Sequence, residues 1–197
     1  MNIHYWHIYA NGSGWPEAVQ DHLGVLDSAD LFDVVSVGIV GSAASRRAVK
    51  YRLPAGVSIV AEANDGWEQV TLSAIDVDDA DVVAYSHTKG AANDTLLNQR
   101  WRRYLEHYTF GDDAAIDALI EVDVVCPNWL TKSITGTLPP GCSGFSPGNY
   151  WWATGAYLNR LPLPDVSNRY AAETWIGMGQ PTVAITDGRP WDPRNWT

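Results

Sequence analysis

The first ninety residues alternate between short apolar runs and stretches in which apolar residues recur at helical spacing. Apolar runs of this kind that end at a turn signal are typical of strands buried on both faces of a sheet. The pattern therefore predicts a series of buried strands in this half of the chain. They lie at Ile3–Tyr9, Phe32–Val40 and Val57–Ala61 and at the start of the stretch Asp81–Gly90.

Helical spacing separates these apolar runs. Pro16 fits the first turn of a helix that extends to about Leu26, and a second helix is predicted from Trp67 to Ile75. The basic segment after Gly41 forms a loop or a short helix. Strands and helices in this order imply right-handed crossovers and a mainly parallel central sheet with helices on both faces, which is a doubly wound α/β unit.

The second half of the chain predicts further helices and one strand around a long loop. Residues 127–147 are irregular and rich in Thr, Gly and Pro, and a loop of this length indicates a function. The loop Gly188–Pro193 is expected to fold back over the site. The other predicted elements are a helix ending at Gly111, a helix that Asp112 or Asp113 caps and that extends to about Ile120, a strand at Val122–Cys126, ordered chain over 149–161, and a helix at Tyr170–Ile176.

Length and composition indicate one globular domain. The chain has 197 residues, of which 46% are hydrophobic and 18% charged, and no apolar stretch approaches the length of a membrane span. Because the segment Met1–His4 lacks the basic and apolar regions of an export signal, we expect a cytoplasmic protein. In a reducing compartment Cys126 and Cys142 are expected to be buried thiols rather than a disulfide.

The net charge of −10 argues against a sequence-independent nucleic-acid binder, which needs a basic surface. The positive charges are nonetheless clustered, with one group near Arg46 and another that includes Lys89 and Arg103. Such clusters indicate either a small anionic ligand or a solvated helix face. The ten tryptophans and nine tyrosines suit surfaces that stack on sugars or bases, and they suit cores and interfaces equally well.

Candidate site residues follow three of the predicted strands. Because ligands of open α/β sheets bind at the carboxyl ends of the strands, the polar turns there are expected to converge. The sequence contains no phosphate-binding glycine loop, no metal-ligand spacing and no serine-hydrolase elbow. The turns are Tyr9-Ala10-Asn11-Gly12, Glu62-Ala63-Asn64-Asp65-Gly66 and Ser86-His87-Thr88-Lys89-Gly90.

Four motifs in a fixed order resemble a known group of enzymes. They are His87-Thr88-Lys89-Gly90, Trp101-Arg102-Arg103-Tyr104, Gly148-Asn149-Tyr150-Trp151-Trp152-Ala153 and Ala172-Glu173-Thr174-Trp175. Together they resemble bacterial and phage glycosyltransferases of the GT-A type, and the first two are similar to the rhamnan synthesis protein F group. The resemblance extends over Ile3 to Ile176 and implies a single GT-A-like (Rossmann-like) domain that spans residues 1–197.

The resemblance also implies two functional halves. A nucleotide-sugar donor would lie over residues 1–90, and an acceptor, which is a glycan, a lipid or a protein, would lie over residues 91–197. Of the adjacent Trp151 and Trp152, one can be core while the other faces the site, and Asp65 is equally explained by turn chemistry. The implied donor contacts are Tyr9, Asn11, Glu62, Asn64, Asp65, Ser86 and Arg103, and the implied acceptor contacts are Asn149, Trp151, Trp152 and Trp175.

GT-A enzymes usually bind a divalent metal through an Asp-x-Asp motif at the end of the fourth strand. Here Asp76-x-Asp78 and Asp79-x-Asp81 precede that strand, and His87 and Lys89 follow it. We therefore expect Lys89, with His87 and Arg103, to neutralise the departing diphosphate in place of the metal. On this interpretation manganese or magnesium is allowed but not required. The alternatives are a surface lysine and a structural histidine.

Glu173 is the candidate general base, because inverting sugar transfer needs a carboxylate that takes the proton of the acceptor hydroxyl. The alternative is a carboxylate that stabilises a helix terminus. The sequence thus predicts a nucleotide-sugar glycosyltransferase, and the resemblance implies an inverting one. Its rivals are a non-catalytic nucleotide- or carbohydrate-binding module on the same fold and an assembly protein whose aromatic residues form an interface.

Overall fold

The computed structural model describes residues 1–111, 113–132 and 137–186, and these contain a seven-stranded mixed sheet. From one edge to the other the strand order is β3-β2-β1-β4-β6-β5-β7. The strands are β1 (Asn2–Tyr9), β2 (Val34–Val40), β3 (Ser58–Ala63), β4 (Val82–His87), β5 (Val124–Cys126), β6 (Trp151–Thr154) and β7 (Val183–Ile185).

Helices cover both faces of this sheet. One face packs against α3, α6 and α7 through a cluster that includes Tyr5, Tyr85 and Trp151. The other face packs against α1, α2, α4 and α5 in two clusters, around Trp6 and around Trp152. The helices are α1 (Trp15–Ala29), α2 (Ala43–Arg52), α3 (Gln69–Leu72), α4 (Leu96–Phe110), α5 (Ala114–Ala118), α6 (Gly155–Leu158) and α7 (Ala171–Trp175).

The predicted α/β fold with a mainly parallel sheet is confirmed. Strands β1, β2, β3 and β4 are parallel to one another, and β5 is parallel to β7. Strand β1 lies between β2 and β4, so the chain moves to one side of β1 and then crosses to the other. This reversal leaves a crevice at the carboxyl ends of β1 and β4, which is where ligands of open α/β sheets bind.

The structure departs from the sequence prediction in the second half of the sheet. Strand β6 runs antiparallel to both of its neighbours, and β7 forms where the sequence pattern indicated only a tail. The helix predicted from Trp67 to Ile75 is reduced to the single turn α3. Strand order and direction depend on contacts between distant segments, which local apolar periodicity does not report.

The long irregular region was predicted correctly where the structure describes it. Within 127–132 and 137–147 the regular pairing is a single bridge between Leu130 and Phe145. The loop Gly188–Pro193 lies outside the described residues. Cys126 and Cys142 are both free thiols. Among the described residues no helix combines the length and the apolarity that crossing a membrane requires.

Strand β4 assigns its side chains to opposite faces of the sheet in strict alternation. Tyr85 packs in the cluster on the α3 side, whereas Ala84 packs in a cluster on the α4 side. By the same alternation His87 shares the face of Tyr85, and Ser86 shares the face of Ala84. This alternation separates two neighbours that the sequence had assigned to one site.

Candidate functional site

A cavity of about 350 Å³ lies at the carboxyl ends of β1 and β4. Its volume is in the range of small-molecule sites, and its position is the crevice where the strand order reverses. Residues from both halves of the chain form its wall. They are His7, Tyr9, Trp67, Glu68, His87, Thr88, Lys89, Gly90, Ala91, Ala92, Asn93, Asn98, Trp101, Arg169, Tyr170 and Glu173.

The cavity brings together the three residues that the sequence proposed for chemistry, His87, Lys89 and Glu173, and with them Tyr9. His87 ends β4, Lys89 follows it, and Glu173 lies on α7, which packs on the same face of the sheet as Tyr85. Residues more than eighty positions apart thus line one space. Their roles remain predictions.

His87 is a neutral ring rather than a cation. Burial, assisted by the charge of Lys89, lowers the pKa of His87 from 6.5 to about 3. Its Nε2 lies 2.8 Å from the carbonyl oxygen of Gly148, and a carbonyl only accepts, so the ring proton is on Nε2. This lowered pKa disfavours the expected help of His87 in neutralising a diphosphate, which stays a prediction. Its ring instead ties β4 to the segment before β6.

Lys89 holds its ammonium inside the cavity wall. Nζ lies 3.9 Å from the centre of the Trp101 ring, a cation–π contact. Burial lowers the pKa of Lys89, and the nearby Glu173 and Glu68 oppose that shift. The buried Arg102 donates to the Lys89 carbonyl oxygen at 2.9 Å and to Asp21 at 2.6 Å. The backbone that carries the ammonium is therefore anchored to α1 and α4.

Glu173 faces the same cavity from the opposite wall. Burial raises the pKa of Glu173, and the negative charge of Glu68 adds to the rise, whereas Lys89 and Arg169 lower it. A carboxyl group with a raised pKa between two cations and a second carboxylate is poised for proton transfer. The geometry is therefore compatible with the role of general base.

Sequence reasoning missed three functional candidates in the cavity wall, Trp67, Glu68 and Arg169. The guanidinium of Arg169 lies 4.6 Å above the Trp67 ring, and the rings of Trp67 and Tyr9 stack with centres 6.0 Å apart. Trp67 and Glu68 lie in the connection after β3, just beyond the polar turn that was selected there, and Arg169 precedes α7. Arg169 lies in an irregular segment and is therefore a second cation that only the fold reveals.

Residues 62–66, at the end of β3 and in the turn after it, do not line the cavity, whereas the next two residues, Trp67 and Glu68, do. Strand β3 is the edge strand, two positions from β1, and two strand spacings are about 10 Å. Glu62 belongs to β3 and forms ion pairs with Arg46 and Lys50. Four expected donor contacts do not line the cavity, and their contact with a donor stays a prediction. They are Glu62, Asn64, Asn11 and Asp65. The Oδ1 of Asn64 accepts from Arg46, and the Oδ1 of Asn11 accepts from the backbone N–H of Ser42. Asp65 accepts from the Gly66 N–H in its own turn.

Ser86, another expected donor contact, points into the core on the other side of the sheet. Its Oγ lies 2.9 Å from His4 Nε2 and 3.2 Å from His22 Nε2, and His22 Nδ1 lies 3.1 Å from Glu106 Oε1. The order serine, histidine, carboxylate resembles a hydrolase triad. All of these residues are buried, and Ser86 is 0% exposed. No substrate can reach this hydroxyl, so the network is structural.

The expected acceptor contacts are also buried. Trp151 and Trp152 face opposite sides of β6 as predicted, but both are 0% exposed because helices cover both faces. Their indole N–H groups donate to Asn149 and to the carbonyl oxygen of Thr109. Trp175 is 6% exposed and donates to the Pro162 carbonyl. None of these rings lines the cavity, so their assignment to an acceptor is corrected.

Two further expected contacts lie elsewhere. Asn149 is 0% exposed, and its side-chain NH₂ donates to Glu68 and to the carbonyl oxygen of Ala172. Arg103 lines a different, more open groove of about 430 Å³ between α1 and α4, together with Glu106 and His107. In the cavity at the carboxyl ends of β1 and β4, the second cation is therefore Arg169 and not Arg103.

The residues at the end of β4 do not fit the divalent metal that the GT-A resemblance implies. His87 Nε2 is committed to a carbonyl oxygen, and Lys89 is a cation. Asp81 lies at the opposite end of β4, where its carboxylate accepts from the amino group of Met1 at 3.0 Å. Across residues 1–111, 113–132 and 137–186, His, Cys, Asp and Glu form no cluster of three or more that could hold a metal ion.

Comparisons with known proteins support the fold. No protein-family model and no curated protein matches the sequence, so the similarity to the rhamnan synthesis protein F group is unsupported. Rv0371C from Mycobacterium tuberculosis H37Rv, solved in complex with manganese, matches with a TM-score of 0.51 and 14% identity over 99% of this chain and 97% of that chain. 4-Diphosphocytidyl-2C-methyl-D-erythritol synthase from Anaerococcus prevotii DSM 20548 matches with a TM-score of 0.46 and 10% identity over 95% of this chain and 90% of that one. At 14% identity the likeness to Rv0371C shows a shared α/β fold.

A glycine that supports the cavity gives a first prediction. Gly148 has φ +89, and a Cβ there would lie 2.6 Å from Leu105 Cδ1. We expect Gly148→Ala to destabilise the protein by about 2 kcal/mol, from the left-handed backbone and the crowding together. Gly24, in the middle of α1 with open space around it, is the matched control, and Gly24→Ala should stabilise by about 0.5–1 kcal/mol. Urea unfolding measures both, and equal stability of the two variants would contradict the prediction.

His7 in the cavity wall predicts acid sensitivity of folding. His7 is 1% exposed, and burial lowers its pKa from 6.5 to about 4. In the unfolded chain His7 therefore binds a proton near pH 6.5, whereas in the folded chain it binds a proton only near pH 4. The free energy of unfolding should therefore decrease by about 3 kcal/mol as the pH falls from 6.5 to 4. Above pH 6.5 this contribution of His7 is fully present. In His7→Gln, unfolding free energies at pH 7 and pH 4 should differ by correspondingly less than in the parent, and an unchanged difference would contradict the assignment.

Proposed function

We propose that this protein is a transferase that binds a nucleotide-diphospho-sugar in the cavity and transfers the sugar to a hydroxyl acceptor, with inversion. The observation that carries the proposal is that the candidate base Glu173 and the two cations Lys89 and Arg169 line one cavity at the crevice of a doubly wound sheet. Cations suit the diphosphate, and a carboxylate with a raised pKa suits the acceptor hydroxyl.

The reaction balances with groups present in the cavity. The acceptor oxygen forms a bond to the anomeric carbon, and its proton passes to Glu173. The bond between the anomeric carbon and the diphosphate oxygen breaks, and the electron pair leaves with the diphosphate. Lys89 and Arg169 would stabilise the negative charge that develops there. The aromatic rings of Tyr9 and Trp67 offer apolar surface to a sugar or a base.

A panel of nucleotide sugars tests this proposal. Purified protein is incubated with each donor, first alone and then with sugar, lipid-linked and peptide acceptors, and the released nucleotide is identified. Release of nucleoside diphosphate is the expected result, since the bond that breaks lies between the sugar and the diphosphate. Release of pyrophosphate from a nucleoside triphosphate and a sugar phosphate would overturn sugar transfer in favour of nucleotide transfer.

The same panel separates the binding-module alternative. A ligand that binds only the folded state raises the melting temperature. Donors that raise the melting temperature without any nucleotide release would make the chain a nucleotide- or carbohydrate-binding module. A panel in which no donor changes either quantity would contradict both proposals.

A further inference from the structure

Glu68 is a second carboxylate in the cavity wall and lies in the connection between β3 and α3. It immediately precedes α3, and its side chain is 17% exposed. One of its oxygens, Oε2, accepts from the side-chain amide of Asn149 at 2.6 Å and from the Tyr85 hydroxyl at 3.3 Å. Two donors on one oxygen hold this carboxylate in place.

The other oxygen of Glu68 is left for the cavity. Oε1 lies 3.6 Å from Nδ1 of His87, and because the ring proton of the neutral His87 is on Nε2, Nδ1 has no hydrogen to donate. Glu68 is therefore an oriented anion with one oxygen free of hydrogen bonds from these neighbours. Burial raises the pKa of Glu173, the other carboxylate of the cavity wall.

The backbone and the side-chain amide of Asn149 are both fixed in the orientation that contacts Glu68. It is 0% exposed, and its backbone is left-handed with φ +53, directly after Gly148 with φ +89. The indole N–H of Trp151 donates to Asn149 Oδ1 at 2.9 Å. Since an indole only donates, this contact fixes which end of the amide is oxygen. The NH₂ group must then face Glu68.

The same NH₂ group reaches the helix that carries Glu173. Asn149 Nδ2 donates to the carbonyl oxygen of Ala172 at 3.3 Å as well as to Glu68. One buried amide thus links the turn before α3 to the first turn of α7. It sets the spacing between the two carboxylates of the cavity, Glu68 and Glu173.

We propose that Glu68 is a second functional carboxylate of this cavity, a fixed anion that stabilises positive charge developing on the transferred sugar, and that Asn149 is its positioning residue. This inference rests on the proposed sugar transfer, in which the sugar ring becomes positively charged as the bond to the diphosphate breaks. An oriented anion stabilises such charge without having to reorganise. Its charge also acts on Glu173, which is the basis of the test.

Glu68→Gln keeps the shape of the side chain and removes its charge. We expect kcat and kcat/KM to fall together by about 10²-fold, as they do when an interaction made only in the transition state is lost. The acid limb of the pH profile should also move to lower pH, because Glu68 contributes to raising the pKa of Glu173. A Glu68 whose only effect is its charge on Glu173 would move the acid limb and leave the plateau value of kcat at the parental level. Glu121→Gln, at an exposed position before β5, is the control and should match the parent.

Asn149→Gly tests positioning with the charge of Glu68 intact, because glycine tolerates the left-handed backbone. We expect kcat to fall by about 10-fold, which is less than in Glu68→Gln. Asn149→Ala should be impaired at least as much, because alanine also lacks the amide and does not tolerate the left-handed backbone. Parental kcat and parental acid limb in both Glu68→Gln and Asn149→Gly would overturn the proposal.

A readout that needs no turnover keeps this inference separate from the proposed function. The Glu173 carboxyl carbon can be titrated by NMR in labelled protein and assigned by its loss in Glu173→Gln. In Glu68→Gln its pKa should be lower than in the parent, and an unchanged pKa would overturn the coupling whatever the enzyme does. If the coupling is present but no donor is turned over, the proposed sugar transfer fails, and with it the transition-state role of Glu68.

Discussion

Glu173→Gln is expected to lower the rate of sugar transfer by about 10²- to 10⁴-fold while leaving donor binding nearly intact. Glutamine keeps the size and most of the packing of the side chain, but it cannot accept the proton of the acceptor hydroxyl, and general-base catalysis typically contributes this factor. Initial rates and the donor affinity of each variant, measured with the best donor of the panel, give the two quantities.

The pH dependence of the parent sharpens this test. Because burial and Glu68 raise the pKa of Glu173, the acid limb of kcat/KM should lie above pH 4.5. The residual activity of Glu173→Gln should lack that limb. A variant that folds, binds donor and transfers sugar at the parental rate would remove Glu173 from the mechanism, and Glu121→Gln again controls for loss of a carboxylate as such.

Lys89→Met is expected to reduce kcat/KM by about 10²- to 10³-fold. Methionine fills nearly the same space against the Trp101 ring, but it removes the cation that would meet the departing diphosphate, and single electrostatic groups of this kind are worth that factor. Both donor affinity and kcat should fall, since the diphosphate is charged before and after the bond breaks. Steady-state kinetics with varied donor resolves the two contributions.

Lys50→Met is the matched control for Lys89→Met. Lys50 is half exposed and pairs with Glu62 at the far edge of the sheet. Its loss should change stability little, because an exposed ion pair contributes little to stability. Parental activity of Lys89→Met would contradict the role of Lys89. So would activity that disappears with EDTA and returns with manganese, because a metal would then carry the charge assigned to Lys89 and Arg169.

The apolar pattern was sufficient to predict the parallel half of the sheet. The strands that became β1, β2 and β4 are central, and a central parallel strand is apolar on both faces, so its signal is local. Strand β3 was less well bounded, because it is the edge strand, and Ile59 and Val60 are partly exposed. The carboxyl end of β4 was also predictable, and two of its residues, His87 and Lys89, do line the cavity.

Two errors at the site have one physical cause. Alternation along a strand states that Trp151 and Trp152, or Ser86 and His87, face opposite sides of the sheet. It does not state whether a helix covers that side. Helices cover both faces at β6, so both tryptophans became core, and α1 and α4 enclose Ser86.

The chain order of apolar runs and polar turns was thus enough for the fold class and for the sheet edge at which the cavity lies, with Lys89 in its wall, and the resemblance added Glu173. The partners of those groups follow from packing between segments distant in sequence. Asn149 and Glu68 are eighty-one positions apart and are joined by one hydrogen bond, and Arg169 reaches the cavity from an irregular segment. Such contacts depend on which surfaces the helices bury, and no local pattern in the sequence encodes that choice.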